Sequence, residues 1–209
     1  MGLRFWPLAS FLAQGLLRLG KKLGPILWQF PPDFKFQPER LEAFFAMLPK
    51  KRTEAAEIAS RHDARMNGRS WLKVDKDGRM RHAIEIRHES FACEEFVRIL
   101  RKYDISLVKA DTVEWPLLMD VTSDFVYCRL HGGEELYVSG YSDESLAVWA
   151  ERVKNWACGL EVLDGRVVST KPGTKRKTRD VFVYFDNDVK VHAPFNAQDL
   201  QKRVDSTAE

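Results

Sequence analysis

Short apolar runs alternate with amphipathic helical stretches along this chain, and that alternation constrains the fold more than any other feature. Residues 26–30, 82–88, 105–110, 125–130 and 181–185 read as strands. Pro38 opens a helix whose apolar face is Leu41, Phe44, Phe45 and Leu48. Ser90 is placed to cap a helix that runs to about Tyr103 and buries Phe96, Ile99 and Leu100. Ser142 caps another, with Leu146, Trp149, Ala150, Val153 and Trp156 on one face, and a short helix over residues 197–204 closes the chain. Only the stretch 115–119 is a shorter, less regular crossover. Upstream, Phe11, Leu12, Leu16, Leu19 and Leu23 make one helical stripe over residues 3–23, ended by Gly24 and Pro25. A signal peptide is the weaker reading there, because Pro7, Ser10 and Gln14 interrupt the apolar run and no cleavage site follows. Strand–helix alternation builds a parallel sheet covered by helices.

Composition narrows the class. With 44% hydrophobic and 30% charged residues in 209, the chain is globular and not disordered. It reads as one domain, residues 1–209, with a polar insertion at about 50–81 that turns helical near 54–60. A net charge of +3 does not point to nucleic acid. Three widely spaced cysteines, Cys93, Cys128 and Cys158, exclude a disulfide framework and a cysteine-rich zinc site. Cys128 reads as a packing residue, and a reducing cytoplasm is the simplest home. No stretch reaches the roughly 18 apolar residues of a membrane span, so no membrane partner is expected. The absence of Gly-x-Gly-x-x-Gly and phosphate-loop motifs favours a closed barrel over a nucleotide-binding open sheet.

Parallel strands are buried on both faces and should stay apolar. These turn polar toward their C-terminal ends. Side chains alternate faces along a strand, so Gln29 opposes Ile26, Trp28 and Phe30, and Glu85 and Arg87 oppose Ile84 and Ile86. Lys109 and Asp111 share a face. Tyr127, Arg129 and His131 oppose Val126, Cys128 and Leu130, while Phe182, Tyr184, Asp186 and Asp188 oppose Val181, Val183 and Phe185. In a barrel the polar face points inward, and catalytic residues sit at the C-terminal strand ends. Glu85, Arg87, Asp111, Arg129, His131 and Asp186 are therefore expected to converge at that mouth, with Gln29 beside them.

Each residue has a functional and a structural reading. The arginines anchor a carboxylate or phosphate, with Glu85 and His131 as acid–base groups, or with His131 as a metal ligand. Alternatively Glu85, Arg87 and Arg129 form an ion-pair network that only holds the sheet together, and His131 is a hydrogen-bonded strand-end histidine. Gly132 and Gly133 would let backbone approach a ligand, and His88 orients its loop or meets the helix layer. Asp111, Asp186 and Asp188 suit Mg²⁺ or Mn²⁺ chemically, but no metal motif is present, so a divalent metal is not favoured and any cofactor is unknown. The basic loop of Lys171, Lys175, Arg176, Lys177 and Arg179 lacks interleaved aromatics, which favours a solvated connection over nucleic-acid contact.

Residues 23–32 (LGPILWQFPP), 83–91 (AIEIRHESF), 127–132 (YCRLHG) and 183–188 (VYFDND) together resemble signature blocks of the domain of unknown function 72 family, the YecE-like proteins. The resemblance implies a TIM-like (β/α) barrel with a pocket, and no reaction. It covers the C-terminal two-thirds of such a barrel: family members begin well upstream, and five strands are counted here where a full barrel has eight. Three readings follow: an enzyme acting on a small anionic substrate at the barrel mouth, a non-catalytic ligand-binding barrel, or a truncated inactive remnant. With five strands the sheet has two apolar edges, and self-association through them is expected.

Overall fold

The computed structural model describes residues 6–132, 140–187 and 191–206. The chain divides into two compact units, Met1–Leu27 with Glu39–His82, and Trp28–Pro38 with Ala83–Glu209.

In the first unit, α1 (Trp6–Ala13) buries Leu8, Ala9, Leu12 and Ala13. The expected single stripe through residue 23 is broken. Gly15 adopts φ 100°, a conformation open mainly to glycine, and the following 3₁₀ segment Leu16–Lys22 is kinked at Gly20. The face therefore rotates: Leu17 is buried, whereas Phe11 and Leu19 are exposed. The stretch read as a polar insertion carries α3 (Arg52–Ala59), which packs on α1 and buries the small side chains Ala55 and Ala59. Glu54 Oε2 accepts from the backbone N–H groups of Lys50 and Lys51 and so anchors the helix start. The helix opened by Pro38, α2 (Pro38–Ala46), buries Leu41 and Phe45 as its periodicity predicts.

The five strands are β1 (Ile26–Gln29), β2 (His82–Glu85), β3 (Ser106–Asp111), β4 (Phe125–Leu130) and β5 (Asp180–Phe185), in the sheet order β1-β2-β3-β4-β5. The β2–β3, β3–β4 and β4–β5 pairs are parallel. Between β1 and β2, Ile26 N–H donates to Arg81 O and Phe30 N–H to Glu85 O, an equal advance on both strands, so this pair is parallel too. Helix α4 (Glu94–Tyr103) follows β2, α5 (Asp143–Ala157) follows β4, and α6 (His192–Asp205) follows β5. This is the order of a TIM-like barrel, represented by five of its eight strands.

Three local expectations need correction. Cys93, not Ser90, stands at the N-cap of α4. Ser90 lies in a preceding 3₁₀ turn, where its N–H donates to His88 Nδ1 and its Oγ accepts from Phe36 N–H. His88 thus orients the loop, as expected. Helix α6 begins at His192, earlier than its apolar pattern implied. Arg179 is buried rather than part of a solvated loop, and its guanidinium donates to Leu160 O and Thr174 O.

One face of the sheet packs under helices. Val126, Cys128 and Leu130 of β4 join Leu146, Trp149, Ala150 and Trp156 of α5 and Leu200 of α6, with Val181, Val183 and Phe185 against them. Ser142 caps α5 by accepting from Ser145 N–H. The helix ends in a Schellman turn: Gly159, at φ 78°, donates to Trp156 O, and Leu160 N–H donates to Asn155 O. Between β3 and β4 no helix forms. An extended segment runs back instead, and Thr122 Oγ1 donates to Ile105 O while accepting from Leu107 N–H. Lys109, fully buried, donates to Asp120 O at 2.6 Å, and burial pushes its pKa down to about 8.

Candidate functional site

The opposite face of the sheet carries the polar strand ends. Glu85 lies at the end of β2, Arg129 near the end of β4, and Gln29 at the end of β1. Arg87, His131 and Asp186 follow β2, β4 and β5 within two residues. Backbone bonds from His131 N–H to Asp111 O and from Asp186 N–H to Leu130 O continue the ladder past the strands and hold both residues in place.

Glu85 is the centre. Its side chain is fully buried, and its two oxygens serve different arginines. Arg87 Nε donates to Oε1 at 3.0 Å, and Arg129 Nη1 donates to Oε2 at 2.7 Å. Arg129 Nη1 also donates to Gln29 Oε1 at 3.0 Å, while its Nη2 donates to Asp186 Oδ2. The buried His131 ring spans the two carboxylates, with Nε2 3.8 Å from Glu85 Oε2 and Nδ1 3.3 Å from Asp186 Oδ2. The structure thus brings Gln29, Glu85, Arg87, Arg129, His131 and Asp186 together as anticipated from strand alternation.

Burial by itself would raise the Glu85 pKa, but contacts with His131, Arg129 and Arg87 outweigh it and hold it at about 2. Glu85 is therefore ionised at neutral pH with both oxygens engaged. That suits a counter-ion that fixes two guanidiniums, and it does not suit the acid–base role anticipated for it. The Arg129 pKa is raised: burial opposes its charge, and the Glu85 and Asp186 carboxylates more than compensate.

Asp111 is not in this cluster. Parallel register pairs it with Leu130 and pairs Lys109 with Cys128, so Lys109 and Asp111 both point to the helix-covered face. There Asp111 Oδ2 accepts from Trp149 Nε1 at 3.0 Å. The residue of β3 paired with Arg129 is Ala110. Asn187 is buried and donates to Asn196 Oδ1 of α6, tying the strand end to that helix. Gly133 and Asp188 lie outside the described residues. Among the described residues no group of three or more His, Cys, Asp and Glu side chains is placed to hold a metal ion.

One participant escaped the sequence reading. Trp115, in the irregular crossover after β3, meets His131 edge to face with ring centroids 5.7 Å apart, and the Arg87 guanidinium lies over its ring at 4.3 Å. Its Nε1 is buried with no hydrogen-bond partner among the described residues. A tryptophan in a loop between two strands was the only available signal.

Parallel strands in sequential order, helices on one face and a charged cluster at the C-terminal strand ends define a protein of the TIM-like barrel class. The sequence profile described as "Protein of unknown function DUF72" matches residues 6–209, and the chain belongs to that family. A crystal structure of a DUF72 family protein from Thermotoga maritima is similar, at 23% identity and a TM-score of 0.59, covering 89% of this chain and 59% of that one. A DUF72 family protein from Enterococcus faecalis matches at 18% identity with a TM-score of 0.57, covering 90% of this chain and 61% of that one. The chain thus spans about three fifths of the length of these solved relatives. No curated protein matches it.

Proposed function

We propose that the cluster at the C-terminal strand ends binds a small phosphate- or carboxylate-bearing molecule, with Arg87 and Arg129 as its anchors. The observation that carries this reading is the division of Glu85. One buried carboxylate holds two guanidiniums side by side, each still about 15% exposed at 15% and 16%. Arginines fixed in advance lose little entropy on gripping an anion. The orphaned Trp115 N–H beside them is a further unused donor.

We further propose that the bound molecule is a substrate. His131 next to Asp186 is the candidate proton-carrying pair, the carboxylate orienting the ring as acid–base histidines require. The second reading is a binding barrel without catalysis, and the full engagement of Glu85 favours it. A cytoplasmic setting agrees with three free cysteines, and no helix among the described residues is long and apolar enough to cross a membrane.

The test is titration calorimetry of the 209-residue chain with inorganic phosphate and with citrate. Binding that weakens about tenfold or more in Arg87→Gln is expected, since a charge-assisted bond contributes on the order of 1.5–3 kcal/mol. Binding of neutral ligands only, unchanged in that variant, would overturn the assignment. Should a substrate emerge from screening, His131→Asn separates the readings: it abolishes turnover in an enzyme and leaves a pure binder nearly unaffected.

A further inference from the structure

We propose that the molecule bound by the arginine pair carries a flat ring next to its anionic group, and that Tyr184 is the surface on which the ring lies. This rests on the anion reading above. Tyr184 of β5, an outer strand of the sheet, is 47% exposed. Its ring stacks on Tyr127 of β4, with centroids 5.0 Å apart and planes 24° from parallel. One ring face is thus supported, and the exposed remainder is available to a ligand.

The placement relative to the charges follows from register. Arg129 pairs with Tyr184, and Tyr127 pairs with Phe182, so all four side chains share one face of the sheet. Arg129 is thus level with Tyr184 on the neighbouring strand, one side-chain layer beyond Tyr127, and Asp186 lies a further layer on, about 7 Å along the strand. Below, Phe125 and Phe182 meet edge to face at 6.0 Å and close the floor. Burial raises the Tyr127 pKa to about 12, which keeps the phenol of the supporting ring neutral. A guanidinium level with a supported aromatic face matches a ring joined to a phosphate or carboxylate, and offers a bare oxyanion fewer contacts.

Phenyl phosphate and inorganic phosphate, titrated separately into the 209-residue chain, test this. Phenyl phosphate is expected to bind about tenfold more tightly, the effect of one aromatic stacking contact. That preference should vanish in Tyr184→Ala and return in Tyr184→Phe, which keeps the ring without the hydroxyl. Arg87→Gln should weaken both ligands together. Equal affinities in the unmodified chain, or a preference that survives in Tyr184→Ala, would overturn the ring inference while leaving the anion reading standing. Failure of both ligands to bind would overturn both.

Discussion

Glu85 on β2 and Arg129 on β4 join at 2.7 Å across an intervening strand, and the residue of that strand in register with Arg129 is Ala110. A methyl group there leaves room for the guanidinium to reach over β3. Ala110→Leu would fill that space and force the pair apart. It is expected to destabilise the fold by about 1–3 kcal/mol, the usual cost of overpacking, and to weaken anion binding with it. Urea denaturation measures the first effect and phosphate titration the second. Unchanged values in both would show that the space is not needed.

Acid should attack the same pair. Glu85 sits at about 2 in the folded chain against an ordinary 4.5. A depressed folded value means stability that is complete above about pH 4.5 and is lost as pH falls toward 2. At about 1.4 kcal/mol per unit, the contribution is on the order of 3 kcal/mol. Glu85→Gln should be less stable at pH 7 and should lose this part of the acid slope. Urea midpoints between pH 5 and pH 2.5, roughly the window of the linkage, would reveal it.

Lys109 should act in the opposite range. Its folded value of about 8 lies below the ordinary 10.5, so the unfolded chain binds more protons between the two. Stability from this group therefore rises as pH climbs from about 8 toward 10.5. Lys109→Met removes the buried charge and is expected to flatten that rise, with stability at pH 7 equal or higher despite the loss of the bond to Asp120 O. Thermal melts across pH 7–10 decide, the range being roughly that of the linkage; a variant that keeps the alkaline rise would assign it to another group.

Gly159 has no tolerance for a side chain. An added Cβ would lie 2.0 Å from Arg176 O, and its φ of 78° is left-handed. Gly159→Ala is expected to cost more than the roughly 1 kcal/mol of φ strain alone, because backbone must move. A melting temperature within a degree or so of the parent would contradict the close approach.

The outer strands β1 and β5 bound the sheet, and β5 has neither lysine nor proline to discourage pairing. A groove of about 480 Å³ lined by Val153, Val181, Val183, Leu200 and Val204, among others, runs beside it. The 209-residue chain made as such is expected to self-associate at micromolar concentration. Size-exclusion chromatography with light scattering measures this, and a monodisperse monomer with a sharp cooperative melt would rule it out.

What the sequence determined by itself is local and periodic. Strand positions, the cap and apolar stripe of α5, and the grouping of Arg129 with His131 or Glu85 with Arg87 follow from alternation within one strand or one helix, which needs no partner. The tertiary structure decided everything that depends on a neighbour. Lys109 and Asp111 plainly share a face, but which face is set by register with Cys128 and Leu130, and it is the helix-covered one. Trp115 enters the cluster from a loop without periodicity. The stripe near the N-terminus fails at Gly15, whose left-handed backbone rotates the following turn. The state of Glu85 depends on arginines from two segments far apart in the chain: it becomes a buried, ionised counter-ion only when Arg87 and Arg129 close on its two oxygens.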